Sequence, residues 1–195
     1  EYNGIKIVTN SPKGLIKIGK TTGMEDIKNL SLLGVNPKNS GGTISKLENI
    51  LEEEVENAIK IVGNPQLKEY KIVADVANAM GSLYVDALFK KIPGNLTKMN
   101  FELDGTFPAH QPDPLQSETL VDLQKKVIEE GADLGLAPDG DGDRLFFIDE
   151  KGQIVPPSVI TSLVARELLK KNPGETILFD VRYVLTPQKI VGENG

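Results

Sequence analysis

Cysteine is absent from the 195 residues, and histidine occurs once, at His110. Without thiols there is neither a disulfide framework nor a thiolate metal site, and a reducing cytoplasm is the expected compartment. Basic runs are missing too. With a formal charge of −6, nucleic acid is not an expected partner. No apolar stretch reaches the roughly 18–20 residues a membrane span needs, and no signal peptide opens the chain, so no membrane association is expected. An initiator methionine is also lacking. Glu1-Tyr2-Asn3-Gly4 leads straight into the strand-like Ile5-Lys6-Ile7-Val8, which reads as a cut and not as a natural terminus.

What the chain does carry is concentrated in Asp139-Gly140-Asp141-Gly142-Asp143-Arg144. Three carboxylates at alternate positions, separated only by glycine, are unfavourable without a cation among them, and hard cations such as Mg²⁺ prefer oxygen ligands. The glycines let the backbone curl so that alternate side chains converge. Residues 132–137 and 145–148 read as strands, which puts the loop at a strand's carboxyl end, where α/β folds place ligands. A plain hairpin turn is disfavoured because it needs only one Asp-Gly pair. A helix-flanked calcium loop would require glycine where Arg144 stands. A phosphatase-type loop with a nucleophilic aspartate fits the local motif and stays open on these residues alone.

Residues 5–8 and 14–18 read as short strands around the turn-rich segment 10–14, and 19–43 show no clear periodicity. Leu47, Ile50, Leu51, Val55, Ala58, Ile59 and Val62 recur at helical spacing, with Glu52, Glu53, Glu54 and Glu56 as the solvated face, until Asn64-Pro65 ends the helix. Beyond it the pattern alternates: strand 71–76, helix 83–91, strand 96–103, helix 118–130, and strands 132–137 and 145–148. After Lys151-Gly152 come helix 158–171, strand 176–180 and a helix from about 187. Such alternation predicts an α/β fold with a mixed, mostly parallel sheet flanked by helices. The breaks divide the chain into 1–66, 67–152 and 153–195, and only the middle part has a complete core of its own.

The acidic loop behind Asp133-Leu134-Gly135-Leu136-Ala137 resembles the metal loop of the α-D-phosphohexomutase superfamily, the phosphomannomutases, phosphoglucomutases and phosphoglucosamine mutases. Asp104-Gly-Thr-Phe-Pro-Ala-His-Gln-Pro-Asp-Pro114 is similar to that family's Asp-Gly-x-Phe-Pro-x-His-x-Pro-x-Pro segment. Glu1-Tyr-Asn-Gly-Ile-Lys6 resembles the stretch following its phosphoserine loop. The three motifs stand in family order over the whole chain and favour this reading over the phosphatase loop. Ala79, Ala109 and Gln111 depart from the family's commoner residues.

The resemblance implies the tail of a first domain, a metal-binding second domain and the opening of a third, out of four. The phosphoserine, sugar-specificity and phosphate-binding loops would lie outside these residues. It assigns Mg²⁺ to Asp139, Asp141 and Asp143, a phosphoryl clamp to Arg144, and a proton-shuttle or phosphate-contact role to Lys6, which otherwise reads as an exposed strand lysine. The implied reaction interconverts hexose 1-phosphate and hexose 6-phosphate through an enzyme phosphoserine, with hexose 1,6-bisphosphate as intermediate and activator. The sugar phosphate is the expected partner, and strand edges left open by truncation would favour a homo-oligomer. A phosphoglucosamine mutase, or a stand-alone Mg²⁺- or sugar-phosphate-binding module, are the other readings. His110 reads as an anchor for the loop 107–114, and Asp75 and Asn78 read as caps of the helix that follows them.

Overall fold

A computed structural model describes residues 5–34, 41–181 and 184–194. Contacts divide the chain into two compact units, residues 1–48 and 49–195. In the first, β1 (Val8–Ser11) and β2 (Gly14–Lys17) form an antiparallel hairpin with Ser11 opposite Gly14. The Ser11 hydroxyl donates to the Gly14 carbonyl at 2.8 Å and closes the turn. Next comes α1 (Met24–Leu33), inside the stretch that reads without clear periodicity. None of its residues is buried, although Met24, Ile27, Leu30 and Leu33 recur at three-residue spacing along it. Residues 1–4 of the amino-terminal motif, and residues 35–40, lie outside the described residues.

The second unit starts with α2 (Ile50–Ile61), whose buried Val55 faces the packing side and which packs on α3 (Gly81–Phe89). Its sheet comprises β3 (Lys71–Asp75), β4 (Asn95–Met99), β5 (Leu134–Pro138), β6 (Leu145–Ile148) and β7 (Ile154–Val155), in the order β4-β3-β5-β6-β7. β3 pairs in parallel with β4 and with β5, while β5–β6 and β6–β7 are antiparallel. Parallel neighbours need a crossover. α3 carries the chain from β3 to β4, and α4 (Val121–Glu130), preceded by a short 3₁₀ turn, carries it on to β5. The core joins Val73, Leu120, Leu123, Val127, Ala132, Ala137 and Ile148.

The sheet is mixed and flanked by helices, as the alternation implies, but parallel pairing stops at three strands. Once the chain reverses at the acidic loop, short connections suffice and antiparallel ladders follow. The contacts do not divide at residue 66, because α2 packs on α3 and joins the later unit. Nor does the sheet stop at 152: Ile154 pairs with Ile148 and Val155 with Phe147. The strand expected over 176–180 does not form. These residues lie in neither helix nor strand, and Leu178 is 92% exposed. α5 (Pro157–Lys171) and α6 (Leu185–Asn194) pack on each other, with Leu169 and Pro187 buried. Among the described residues, no helix is long and apolar enough to cross a membrane.

Candidate metal centre

Because β3 and β5 run parallel, their carboxyl ends, Asp75 and Pro138, lie at the same edge of the sheet. The loop 139–144 leaves that edge and returns as β6, with Pro138 paired to Leu145. It is therefore a hairpin connection, the geometry its two Asp-Gly pairs argued against. Hairpin and cation loop are compatible here, because six residues leave room for three carboxylates outside the turn. Gly142 takes φ +77°, a left-handed conformation, whereas Gly140 does not. Gly140 instead lets the chain approach Pro112, whose Cγ would lie 3.3 Å from an added Cβ.

Asp139 is buried, and Asp141 and Asp143 are exposed. One carboxylate oxygen from each lies within 4.8 Å of the others. A buried carboxylate is costly unless paired. Asp139 meets that requirement through Arg144, whose backbone N–H donates to Oδ1 at 3.0 Å and whose Nε–H donates to Oδ2 at 2.6 Å. The Asp139 N–H donates in return to the Arg144 carbonyl at 3.0 Å. Arg144 also lies 3.6 Å from Asp143 and 3.7 Å from Asp113. Its proton affinity is raised, first by the hydrogen bond to Asp139 and then by the field of the three carboxylates against the opposing effect of burial. Three carboxylates and no softer donor make an oxygen-only set that suits a hard divalent ion, and each oxygen keeps lone pairs beyond its hydrogen bonds.

Lys6 is exposed and belongs to the 1–48 unit, whereas every residue gathered around the loop comes from 49–195. A second group at the same sheet edge escaped the sequence. Asp75, buried, accepts hydrogen bonds at Oδ1 from the Ala77 N–H (3.1 Å) and the Asn100 side-chain amide (2.9 Å), and its Oδ2 lies 3.1 Å from His110 Nε2. Neither Asp75 nor Asn78 caps α3: the capping position is Met80, and no side chain bonds there. The Asn78 amide donates instead to the Glu102 carbonyl at 2.9 Å. The signal for Asp75 was its place at the end of a central parallel strand. Asp113 had no local signal, since its contact with Arg144 spans 31 positions that only the fold brings together.

Fold and loop together define an α/β domain that presents an acidic, arginine-braced loop at the carboxyl edge of its parallel strands. Residues 51–152 match the family model Phosphoglucomutase/phosphomannomutase, alpha/beta/alpha domain II, and the chain belongs to that family. A phosphomannomutase/phosphoglucomutase of Pseudomonas putida is 36% identical over 198 residues, covering 100% of this chain and 40% of the relative. A phosphomannomutase of Salmonella typhimurium is 33% identical, covering 100% of this chain and 44% of the relative. The chain thus spans about 40% of the length of these curated relatives. Among solved structures, a phosphoglucomutase/phosphomannomutase family protein from Burkholderia thailandensis superposes with a TM-score of 0.69 at 35% identity, covering 75% of this chain and 31% of that one.

Proposed function

We propose that these residues form the metal-binding part of a phosphohexomutase that interconverts hexose 1-phosphate and hexose 6-phosphate, with mannose and glucose phosphates as substrates. The names of the relatives support that substrate class. The observation that carries the reading is the convergence of Asp139, Asp141 and Asp143 beside Arg144 at one sheet edge.

In this reading the three aspartates hold Mg²⁺, which when bound draws negative charge from the phosphoryl group beside it. Arg144 donates through Nε to Asp139, and its terminal nitrogens, one of them 3.7 Å from Asp113, are the part of the fork that addresses phosphoryl oxygens. Lys6 serves as a proton shuttle or phosphate contact. The phosphoryl group passes between an enzyme phosphoserine and the sugar, with hexose 1,6-bisphosphate as the intermediate that turns round between the two transfers.

The test is a coupled assay on the longer protein carrying these residues. Glucose 1-phosphate or mannose 1-phosphate is supplied with the bisphosphate, with Mg²⁺ or with chelator. Turnover that needs Mg²⁺ and is lost in Asp141→Asn supports the reading. Turnover indifferent to both, or none on either sugar, overturns it.

A further inference from the structure

His110 is the chain's only histidine, and both of its ring nitrogens face oxygen. Nε2 lies 3.1 Å from Asp75 Oδ2, and Nδ1 lies 2.9 Å from the carbonyl oxygen of Gln111. A carbonyl can only accept, and Asp75 already accepts two N–H donors at its other oxygen. Two N–H bonds from the ring are what this geometry satisfies, and they require the imidazolium form. The Gln111 carbonyl has a second donor: the backbone N–H of Asp113 reaches it at 2.8 Å. The Asp113 carboxylate is held in turn by the Gln116 side-chain amide at 3.0 Å and the Leu115 N–H at 3.3 Å, with Oδ1 toward Arg144 at 3.7 Å. Asp75, His110 and Asp113 line one cavity of about 10 Å³, together with Pro138, the residue before the acidic loop. That space holds a single water at most.

We propose that His110 is a positioning residue for Arg144, acting through the shared Gln111 carbonyl and Asp113 to fix the side from which the guanidinium is held. The bond from Arg144 to Asp139 lies within one loop and leaves the outer nitrogens free to swing. Asp113 supplies a restraint from a separate segment, and the His110–Asp75 pair ties that segment to the end of β3. Asp75 from β3 meets the ring directly, and the field of Asp122 on α4 adds to it, both favouring the ring's charge. What this restraint does for phosphoryl transfer rests on the proposed function. The restraint itself does not.

The experiment is nitrogen-15 NMR of the 195-residue chain at pH 7 without metal. With one histidine, a single imidazole signal set is present, and both nitrogens are expected protonated. The Arg144 Nε–H resonance, assigned through Arg144→Lys, should shift in His110→Gln and, by more, in Asp113→Asn. The double variant should move no further than Asp113→Asn alone. A neutral ring, an Arg144 resonance unmoved by His110→Gln, or additive shifts would overturn the proposal. Should His110→Gln fail to fold, Asp113→Asn decides alone: it must move the His110 ring signals as well, and ring signals left in place overturn the proposal. A separate Mg²⁺ titration of the wild type without uptake removes the cation reading and leaves these resonances to judge the restraint.

Discussion

A Cβ added to Gly81 would lie 2.5 Å from Cγ and 3.0 Å from Cβ of Pro138. The first turn of α3 therefore rests on the residue that launches the acidic loop, and the two can touch only because one has no side chain. Gly81→Ala would force a rigid proline ring or the helix to move. Overpacking of this kind costs about 1–3 kcal/mol, read as a lower urea midpoint at unchanged slope. An unchanged midpoint would show that the strand end yields freely.

Asp141 is exposed and makes no contact with the hydrophobic core. Asp141→Asn removes one of three converging charges, so Mg²⁺ affinity measured by calorimetry should fall several-fold while the urea midpoint stays within experimental scatter. Equal affinity in wild type and variant would count against the aspartates as ligands.

The His110–Asp75 pair makes stability depend on pH with a definite sign. Burial lowers the proton affinity of His110, but the Gln111 carbonyl and Asp75 outweigh it, and the folded pKa is raised above the ordinary 6.5. A group with a raised folded pKa stabilises fully below its unfolded pKa and loses that contribution as pH rises through the folded value. The stability gap between wild type and His110→Gln should therefore be wider at pH 5.5 than at pH 8.5, by urea unfolding at each. A gap that widens toward alkaline pH would contradict the pairing.

Residues 41–48 are exposed and form neither helix nor strand, and the two compact units meet at residue 48. Limited trypsin digestion should cut at Lys46 before Lys151. Beside Lys151, Gly152 is buried, and its carbonyl accepts the Gln124 side-chain amide at 2.6 Å. Earlier release of a fragment ending at 151 would show that β7 contributes little to the sheet.

A polypeptide of these 195 residues alone should show no mutase turnover, since it spans about 40% of the relatives it matches and the proposed phosphoryl carrier is not among the residues assigned here. Turnover above blank in the coupled assay with Mg²⁺ and hexose bisphosphate would contradict this.

The alternation from β3 to β5 was legible because β3 and β5 bury short apolar runs and α4 carries a buried stripe, so period and burial agree there. The gathering of the three carboxylates was legible because their spacing is local. α1 was not read, although Met24, Ile27, Leu30 and Leu33 recur at three-residue spacing, because the Gly, Asn and Ser residues that follow it dilute so short a run. The segment 176–180 misled in the opposite sense: Ile177 and Leu178 carry strand-like composition, but a strand exists only with a neighbour to hydrogen-bond. Asp75 reads from sequence as a helix cap because capping is the commonest task of an aspartate near a helix start. Its real partners, Asn100 and His110, lie 25 and 35 residues away.

The pairing of Pro138 with Leu145 has one more consequence. Because an antiparallel ladder closes the acidic loop, folding itself brings the three carboxylates together and bears their mutual repulsion. Ion uptake and unfolding are then two faces of one equilibrium. A cation that prefers the gathered loop must raise the melting temperature in proportion to the logarithm of its concentration above its dissociation constant, so a thermal melt can rank divalent ions at this site without any substrate.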